Sequence, residues 1–139
     1  MILSATRVAL GVLWLHEGFV KFHAGFGRAD ILIVANGAKS NPRVPGYFEF
    51  FAGHLLRPMA GLAGVVVPVI EVGLGVALVL GILTLPVALA SLLNLVTYWT
   101  SDQLVAQYPI MAVLSALIIA WPAEASRLSL PAFLKKRRH

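Results

Sequence analysis

Hydrophobic residues in this chain gather into four long stretches separated by short polar or turn-forming segments. Ile2 to Phe22 is built of Val, Leu, Ala, Gly and Trp, broken by Arg7, His16, Glu17 and Lys21. Pro58 to Leu83 contains a single charge, Glu71. Leu85 to Thr100 carries Asn94, Thr97, Tyr98 and Trp99 in its second half, and Tyr108 to Trp121 is closed by Pro122. Apolar runs of this length predict helices that cross a membrane. The second stretch, 26 residues, would reach about 39 Å against a hydrocarbon core of about 30 Å, so it is expected to tilt, to kink at Pro68, or to protrude. The third and fourth, 16 and 14 residues, fall short of the roughly 20 that a span needs. Their flanks must complete the crossing, or the bilayer must thin around them.

The connections refine this picture. Thr84-Leu85-Pro86 reads as a tight turn and Ser101 to Gln107 as a short polar loop, so the last three spans should be antiparallel neighbours. Between the first and second spans, Ala29 to Ala35 is a short apolar segment ended by Asn36-Gly37. Asn41-Pro42-Arg43-Val44-Pro45-Gly46 is a turn-rich link, and Tyr47 to Leu56 alternates aromatics with Glu49 and His54. Two short interfacial helices capping one end are expected there. The exit of the first span, Lys21-Phe22-His23-Ala24, lacks the small-x-small pattern of a cleaved signal, so that span is read as a retained helix. The predicted fold is all-α: a transmembrane four-helix bundle in one domain over residues 1–139, with spans 2–22, 58–83, 85–100 and 108–121. Lipid-embedded helices associate by close packing of small residues. Gly61, Gly64, Pro68, Glu71 and Gly75 form one such stripe on the second span, and Ala112, Ala116 and Ala120 another on the fourth.

Composition agrees with a membrane protein. Apolar residues make up 59% and charged residues 12%, where soluble domains average about 45–50% and about 25%. Such a chain is too apolar to be disordered and lacks the polar residues to cover a soluble surface. The net charge of +5 is local: up to Ser126 the six basic and six acidic residues cancel, and the excess is Arg127, Lys135, Lys136, Arg137 and Arg138. A basic face for nucleic acid is therefore absent, and a basic tail over residues 127–139 takes its place. Four spans put both termini on one side, with Arg7 and the five basic residues of the tail; the other side carries Lys21, Arg28, Lys39, Arg43 and Arg57. The dense Lys135–Arg138 cluster favours anionic lipid and a cytoplasmic location for both termini. The absence of cysteine excludes disulfides, thiolate metal sites and thiol redox chemistry in the chain.

Ionisable residues inside a membrane are costly, so each is a functional candidate. With Lys21 and Arg57 taken as level markers, Arg7 and Glu71 each lie 14 residues further in, or about 21 Å. Antiparallel packing would bring them to one depth as a buried ion pair. The alternative is that Arg7 snorkels to the surface while Glu71 is protonated or bonded to a hydroxyl. The positions Arg7, Gly11, Trp14, Glu17/Gly18 and Lys21 recur every three or four residues and form one inward stripe. A second polar layer, nearer the opposite end, gathers Trp14, His16, Glu17, Lys21, Asn94 and Tyr98, with Gln107, Tyr108 and His54 close by. An apolar-walled pocket with these few polar groups suits a small polar or quinone-like ligand. Against this, Glu17 and Lys21 form an ordinary i, i+4 pair, and Tyr98, Trp99, Tyr108 and Trp121 fall where aromatic belts fall. The histidines at 16, 23, 54 and 139 show no metal-ligating spacing, and neither a phosphate-cradling loop nor a Ser/His/Asp set is evident.

The pattern Arg7-x3-Gly11-x2-Trp14-x-His16-x-Gly18-x2-Lys21-Phe22, followed by Glu71-x3-Gly75-x2-Leu78-x2-Gly81-x-Leu83-Thr84, resembles the DoxX family of small prokaryotic membrane proteins, a group that includes the DoxD-type subunit of thiosulfate:quinone oxidoreductase. The resemblance implies a multi-pass protein of the bacterial cytoplasmic membrane, tied to quinone-linked redox work or oxidative-stress complexes. Arg7, Gly18, Lys21, Glu71 and Gly75 match the family pattern. Three functions then compete. The chain is a membrane subunit or accessory protein of a quinone-linked redox system, with Glu17, Lys21 and Tyr98 around a quinone head group and Glu71 moving protons; or a non-catalytic anchor that docks a soluble enzyme; or a small transporter subunit. The expected partners are the lipid bilayer, a soluble or membrane redox enzyme subunit, and other copies of the chain.

Overall fold

The structure, a computed structural model, describes residues 1–101 and 107–138, and these residues form helices and no strand. The order is α1 (Ile2–His23), α2 (Arg28–Ser40), α3 (Gly46–Phe51), α4 (Ala60–Leu80), α5 (Thr84–Thr100), α6 (Gln107–Ala120), α7 (Pro122–Ala125) and α8 (Leu130–Arg137). A π-helical turn, Ala52–Leu56, continues α3, with Arg57 N–H reaching the carbonyl of Ala52 at 2.8 Å. Most of the expected loop after Ser101 lies outside the described residues.

The four long helices form a ring. α1 packs on α4, α4 on α5, α5 on α6, and α6 returns to α1. Inside the ring lies one core: Leu10, Trp14, Leu74, Leu78, Ala88, Leu95, Tyr108, Met111 and Ile118. The spacing of buried positions explains which face of each helix turns inward. On α1 they are Ser4, Arg7, Leu10, Gly11, Trp14 and Gly18; on α5, Thr84, Ala88, Ser91 and Leu95. Both recur every three or four residues, the period of one helix face. The outward faces are apolar as well: Leu62, Val65, Val69 and Val76 of α4 and Leu89, Leu93 and Val96 of α5 are exposed. Among the described residues, α4 is the helix long and apolar enough to cross a membrane by length and composition alone; α5 and α6 are apolar but shorter.

α1 crosses α4 closely at a pair of glycines. A Cβ on Gly11 would lie 2.8 Å from the Gly75 carbonyl oxygen, and one on Gly75 would lie 2.8 Å from the Gly11 carbonyl oxygen. Ordinary carbon contacts need about 3.5–4.0 Å, so both positions require the missing side chain. Two turns towards the far end of α1, Gly18 rests on Val72 and the Pro68 carbonyl, and Gly64 admits the backbone of Gly27 and Arg28 at the start of α2. The glycines that matched the α4 stripe thus seat both α1 and α2.

Several local expectations are corrected. α4 begins at Ala60, later than the Pro58 expected, and carries Pro68 inside one helix that ends at Leu80. The turn before α5 is Gly81–Leu83, with Gly81 (φ 75°) and Leu83 (φ 48°) in the left-handed region; Thr84-Leu85-Pro86 is the first turn of α5, where proline costs no hydrogen bond. α2 continues through Asn36-Gly37 to Ser40, because its apolar face, Ile31, Ala35 and Ala38, keeps its period across that dipeptide. On α6 the buried face is Tyr108, Met111, Ser115 and Ile118, whereas Ala116 and Ala120 point outward and Ala112 is half-buried. Gly61 of the α4 stripe is exposed and touches nothing. α2, α3 and the π-turn pack together around Ala35, Ala38, Val44, Phe48 and Ala52 as a second small core, and α2 lies against α4.

Candidate functional site

Glu71, fully buried on α4, is the centre of a polar cluster in the half of the ring nearest α2 and α3. Lys21 Nζ donates to Glu71 Oε1 at 2.7 Å, and the Tyr98 hydroxyl donates to the same oxygen. Asn94 Nδ2 donates to the Tyr98 hydroxyl at 3.2 Å. Lys21 also lies 3.5 Å from Glu17 Oε2. Glu17 is held in turn by Gln107 Nε2 at 2.8 Å and by the Tyr108 hydroxyl at 3.3 Å. Four helices therefore contribute: Glu17 and Lys21 from α1, Glu71 from α4, Asn94 and Tyr98 from α5, Gln107 and Tyr108 from α6. The i, i+4 spacings of Glu17/Lys21 and Asn94/Tyr98 set each pair on one face of its helix.

The charges balance incompletely. One ammonium faces two carboxylates, and both donors on Glu71 reach one oxygen. Glu71 Oε2 is buried with no hydrogen-bond partner among the described residues. Aromatic rings enclose the ammonium: Nζ is 5.7 Å from the Phe26 ring centroid and 5.5 Å from that of Tyr98, a placement that favours a cation. Tyr98 packs against Tyr108 at 5.3 Å and edge-on to Trp14 at 6.2 Å.

A cavity of about 210 Å³ opens beside this cluster. Its polar wall is Lys21, Asn94, Thr97, Tyr98, Ser101 and Tyr108, and its apolar wall is Phe26, Ile31, Val34, Phe48, Phe51, Leu56 and Val67. Drug-sized sites run roughly 300–1,000 Å³, so this one is sized for a single small ring.

Trp14 sits deeper. Its indole N–H donates to Ser91 Oγ at 2.7 Å, Ser91 Oγ is 2.9 Å from Ser115 Oγ, and Ser115 donates to the Met111 carbonyl at 2.8 Å. The chain joins α1, α5 and α6 and satisfies each buried polar atom in turn.

The expected site residues divide as follows. Glu17, Lys21, Asn94 and Tyr98 come together; Trp14 contributes a ring edge to Tyr98 and lies in the core below. His16 does not join them. It is exposed, because two residues at 100° each carry it from Trp14 to nearly the opposite face of α1. His54 is exposed on the π-turn, stacked on Phe50 at 4.1 Å.

The Arg7–Glu71 pair is not formed. Lys21 takes its place on Glu71. The Gly11–Gly75 crossing sets the register, and Arg7 consequently reaches Gly81 rather than Glu71. Ten residues of helix, about 15 Å, separate those two levels. The marker Arg57 misled the depth argument because it lies beyond the start of α4, and α4 itself extends past the end of α1 to meet α2. Arg7 is buried, and its Nη2 donates to the Leu128 carbonyl at 2.5 Å, so it does not snorkel either. Glu71 accepts from a hydroxyl, the Tyr98 bond just described.

Residues missed by sequence reasoning are Ser91, Ser115 and the apolar wall from Phe26 to Leu56. The aromatic density of Tyr47 to Phe51 was a usable signal for the wall; nothing in the spacing of Ser91 and Ser115 pointed to their bond.

The DoxX family model matches residues 2–103 of the chain, a stretch that includes Arg7, Lys21, Glu71, Asn94 and Tyr98. No curated protein and no solved structure matches it.

Proposed function

The chain belongs to the DoxX family, a family of membrane proteins often associated with quinone-linked redox systems, and from that membership and the cavity at Lys21 we propose that it is an integral membrane subunit of such a system that binds a quinone head group. α1, α4, α5 and α6 cross the bacterial cytoplasmic membrane, with both termini on the cytoplasmic side. The apolar outward faces of these helices support that topology, and so does the basic last turn of α8, Lys135, Lys136 and Arg137, which suits an anionic cytoplasmic leaflet.

The observation that carries the ligand is the pairing of a one-ring cavity with a lysine that has one donor to spare. An ammonium has three N–H bonds. Lys21 directs two at Glu71 and Glu17, and it lines the cavity beside Asn94, whose amide is a second donor for a quinone carbonyl. The phenyl walls Phe26, Phe48 and Phe51 provide flat apolar contact. Reduction of a quinone to a quinol takes two electrons and two protons. The chain has no thiol to carry electrons, and in this reading a partner redox subunit supplies them. Glu71, joined to Lys21 and to the Tyr98 hydroxyl, is the group placed to pass protons.

Titration with a quinone analogue of the purified full-length chain carrying Trp99→Phe and Trp121→Phe, so that Trp14 alone reports, tests this by quenching of that residue, whose ring lies 6.2 Å from Tyr98. Saturable quenching is expected, weakened on the order of tenfold in Asn94→Ala, which removes one charge-free hydrogen bond and its contact, and unchanged in His16→Gln. Quenching that is linear in quinone, or equal in wild type and Asn94→Ala, would remove the reading.

A further inference from the structure

At the opposite end of the ring, Arg7 is 1% exposed, yet Nε and Nη1 make no hydrogen bond among the described residues. A buried guanidinium without a counter-charge is strongly disfavoured. Its one carbonyl partner, Leu128, and its position beside Gly81 at the C-terminal end of α4 offset only a small part of that cost. Glu124, a carboxylate of α7 on this side, is engaged by Arg127 at 3.1 Å.

Two crevices flank Leu128, in the link between α7 and α8. The first, about 470 Å³, is lined by Ser4, Arg7, Val8 and Leu128 among others. The second, about 570 Å³, has Arg127 and Lys136 at its rim and Val79, Leu80 and Phe133 on its floor. Ser129 joins them: it lines the second crevice, caps α8 through its hydroxyl, and packs on Gly81 beside Arg7.

We propose that the crossing of the α7–α8 link over the ends of α1 and α4 is a binding site for an anionic phospholipid. Arg127 and Lys136 hold its phosphate in the second crevice, Arg7 adds an uncompensated positive charge from the buried side of Leu128, and the acyl chains lie along Val79, Leu80 and Phe133. Three cations with one engaged carboxylate call for an anion, and guanidinium groups match phosphate oxygens in geometry. The apolar floor selects a lipid over a soluble phosphate. The site is separate from the cavity at Lys21 and does not depend on what that cavity holds.

The test is native mass spectrometry of the full-length protein released from nanodiscs of phosphatidylglycerol and phosphatidylcholine. The wild type is expected to retain phosphatidylglycerol with a preference of about fivefold or more. R127Q/K136Q should bring that preference close to unity. K135Q/R138Q removes the same charge from the same tail but from residues outside the crevices, and should lower the preference distinctly less. R7Q should lower the preference in the same direction but less than R127Q/K136Q; should R7Q fail to fold, the comparison of the two double variants still decides. Equal retention of the two lipids, or equal loss in both double variants, overturns the site. Displacement of phosphatidylglycerol by millimolar inorganic phosphate overturns the lipid as its ligand.

Discussion

Replacing Lys21 by Met removes the cation that Glu71 faces while keeping most of the side-chain volume. The two are 2.7 Å apart, with the carboxylate fully buried and the lysine side chain 17% exposed. At an effective dielectric of 20 the attraction is about 6 kcal/mol, from 332/(20 × 2.7), and desolvation of the pair consumes much of it. Removing one partner of a buried pair costs about 3–5 kcal/mol, because the other is stranded. Lys21→Met should lie in that range, since Glu71 then keeps only the Tyr98 hydroxyl. Glu71→Gln should cost less, about 1–3 kcal/mol, because Lys21 retains Glu17 and the rings of Phe26 and Tyr98. In the double variant neither group is stranded, so its cost should fall about 2–3 kcal/mol below the sum of the single costs. Reversible unfolding in mixed micelles measures all three. Additivity within about 0.5 kcal/mol would show that Lys21 and Glu71 do not meet, and the site built on them would fall.

Other expectations follow from single contacts. Gly75→Ala and Gly73→Ala are one substitution made two residues apart on α4. Position 73 is open, so alanine should stabilise it by up to about 1 kcal/mol, whereas at 75 the new Cβ meets Leu15 and the Gly11 carbonyl and should cost about 1–3 kcal/mol of overpacking; equal unfolding midpoints would refute the α1–α4 crossing. Ser91→Ala leaves the Trp14 indole N–H unpaired in the core and should destabilise by about 1–3 kcal/mol, with a shift in the buried tryptophan emission. Ser129→Ala removes the cap of α8, at about 1 kcal/mol, and should raise amide exchange in α8 while leaving that of α4 and α5 unchanged.

The long helices and the inward faces of α1 and α4 were legible because burial leaves a period, whereas the small-residue stripe expected on α6 faces mostly outward. Of the expected stripes, Arg7, Gly11, Trp14 and Gly18 on α1 and Gly64, Pro68, Glu71 and Gly75 on α4 are among the buried positions of those helices, while Gly61 is exposed and Glu17 and Lys21 are half-buried. Four of the residues expected at the second polar layer, Glu17, Lys21, Asn94 and Tyr98, do converge. Which of them meets Glu71 was not legible. Pairing across helices depends on axial register, and register is set by backbone contact at Gly11 and Gly75, whereas charged residues were used as rulers for depth. Long side chains compound the error: Lys21 reaches back several ångströms along α1 to Glu71, in the direction that helical side chains lean. His16 was assigned by neighbourhood in sequence to a pocket that its helix face denies it. The apolar wall came from the connection between α1 and α4, where tertiary packing of α2 and α3, and no periodic signal, places Phe26, Phe48 and Phe51.

Photolabelling with an azidoquinone, followed by mapping of the modified peptides, asks most directly whether the cavity beside Lys21 holds a quinone ring. Label is expected on Phe26, Phe48, Phe51 and neighbouring residues of that wall, and excess unmodified quinone should suppress it. Label spread over outward residues such as Val65, Val69 and Leu93, unaffected by competitor, would contradict the account.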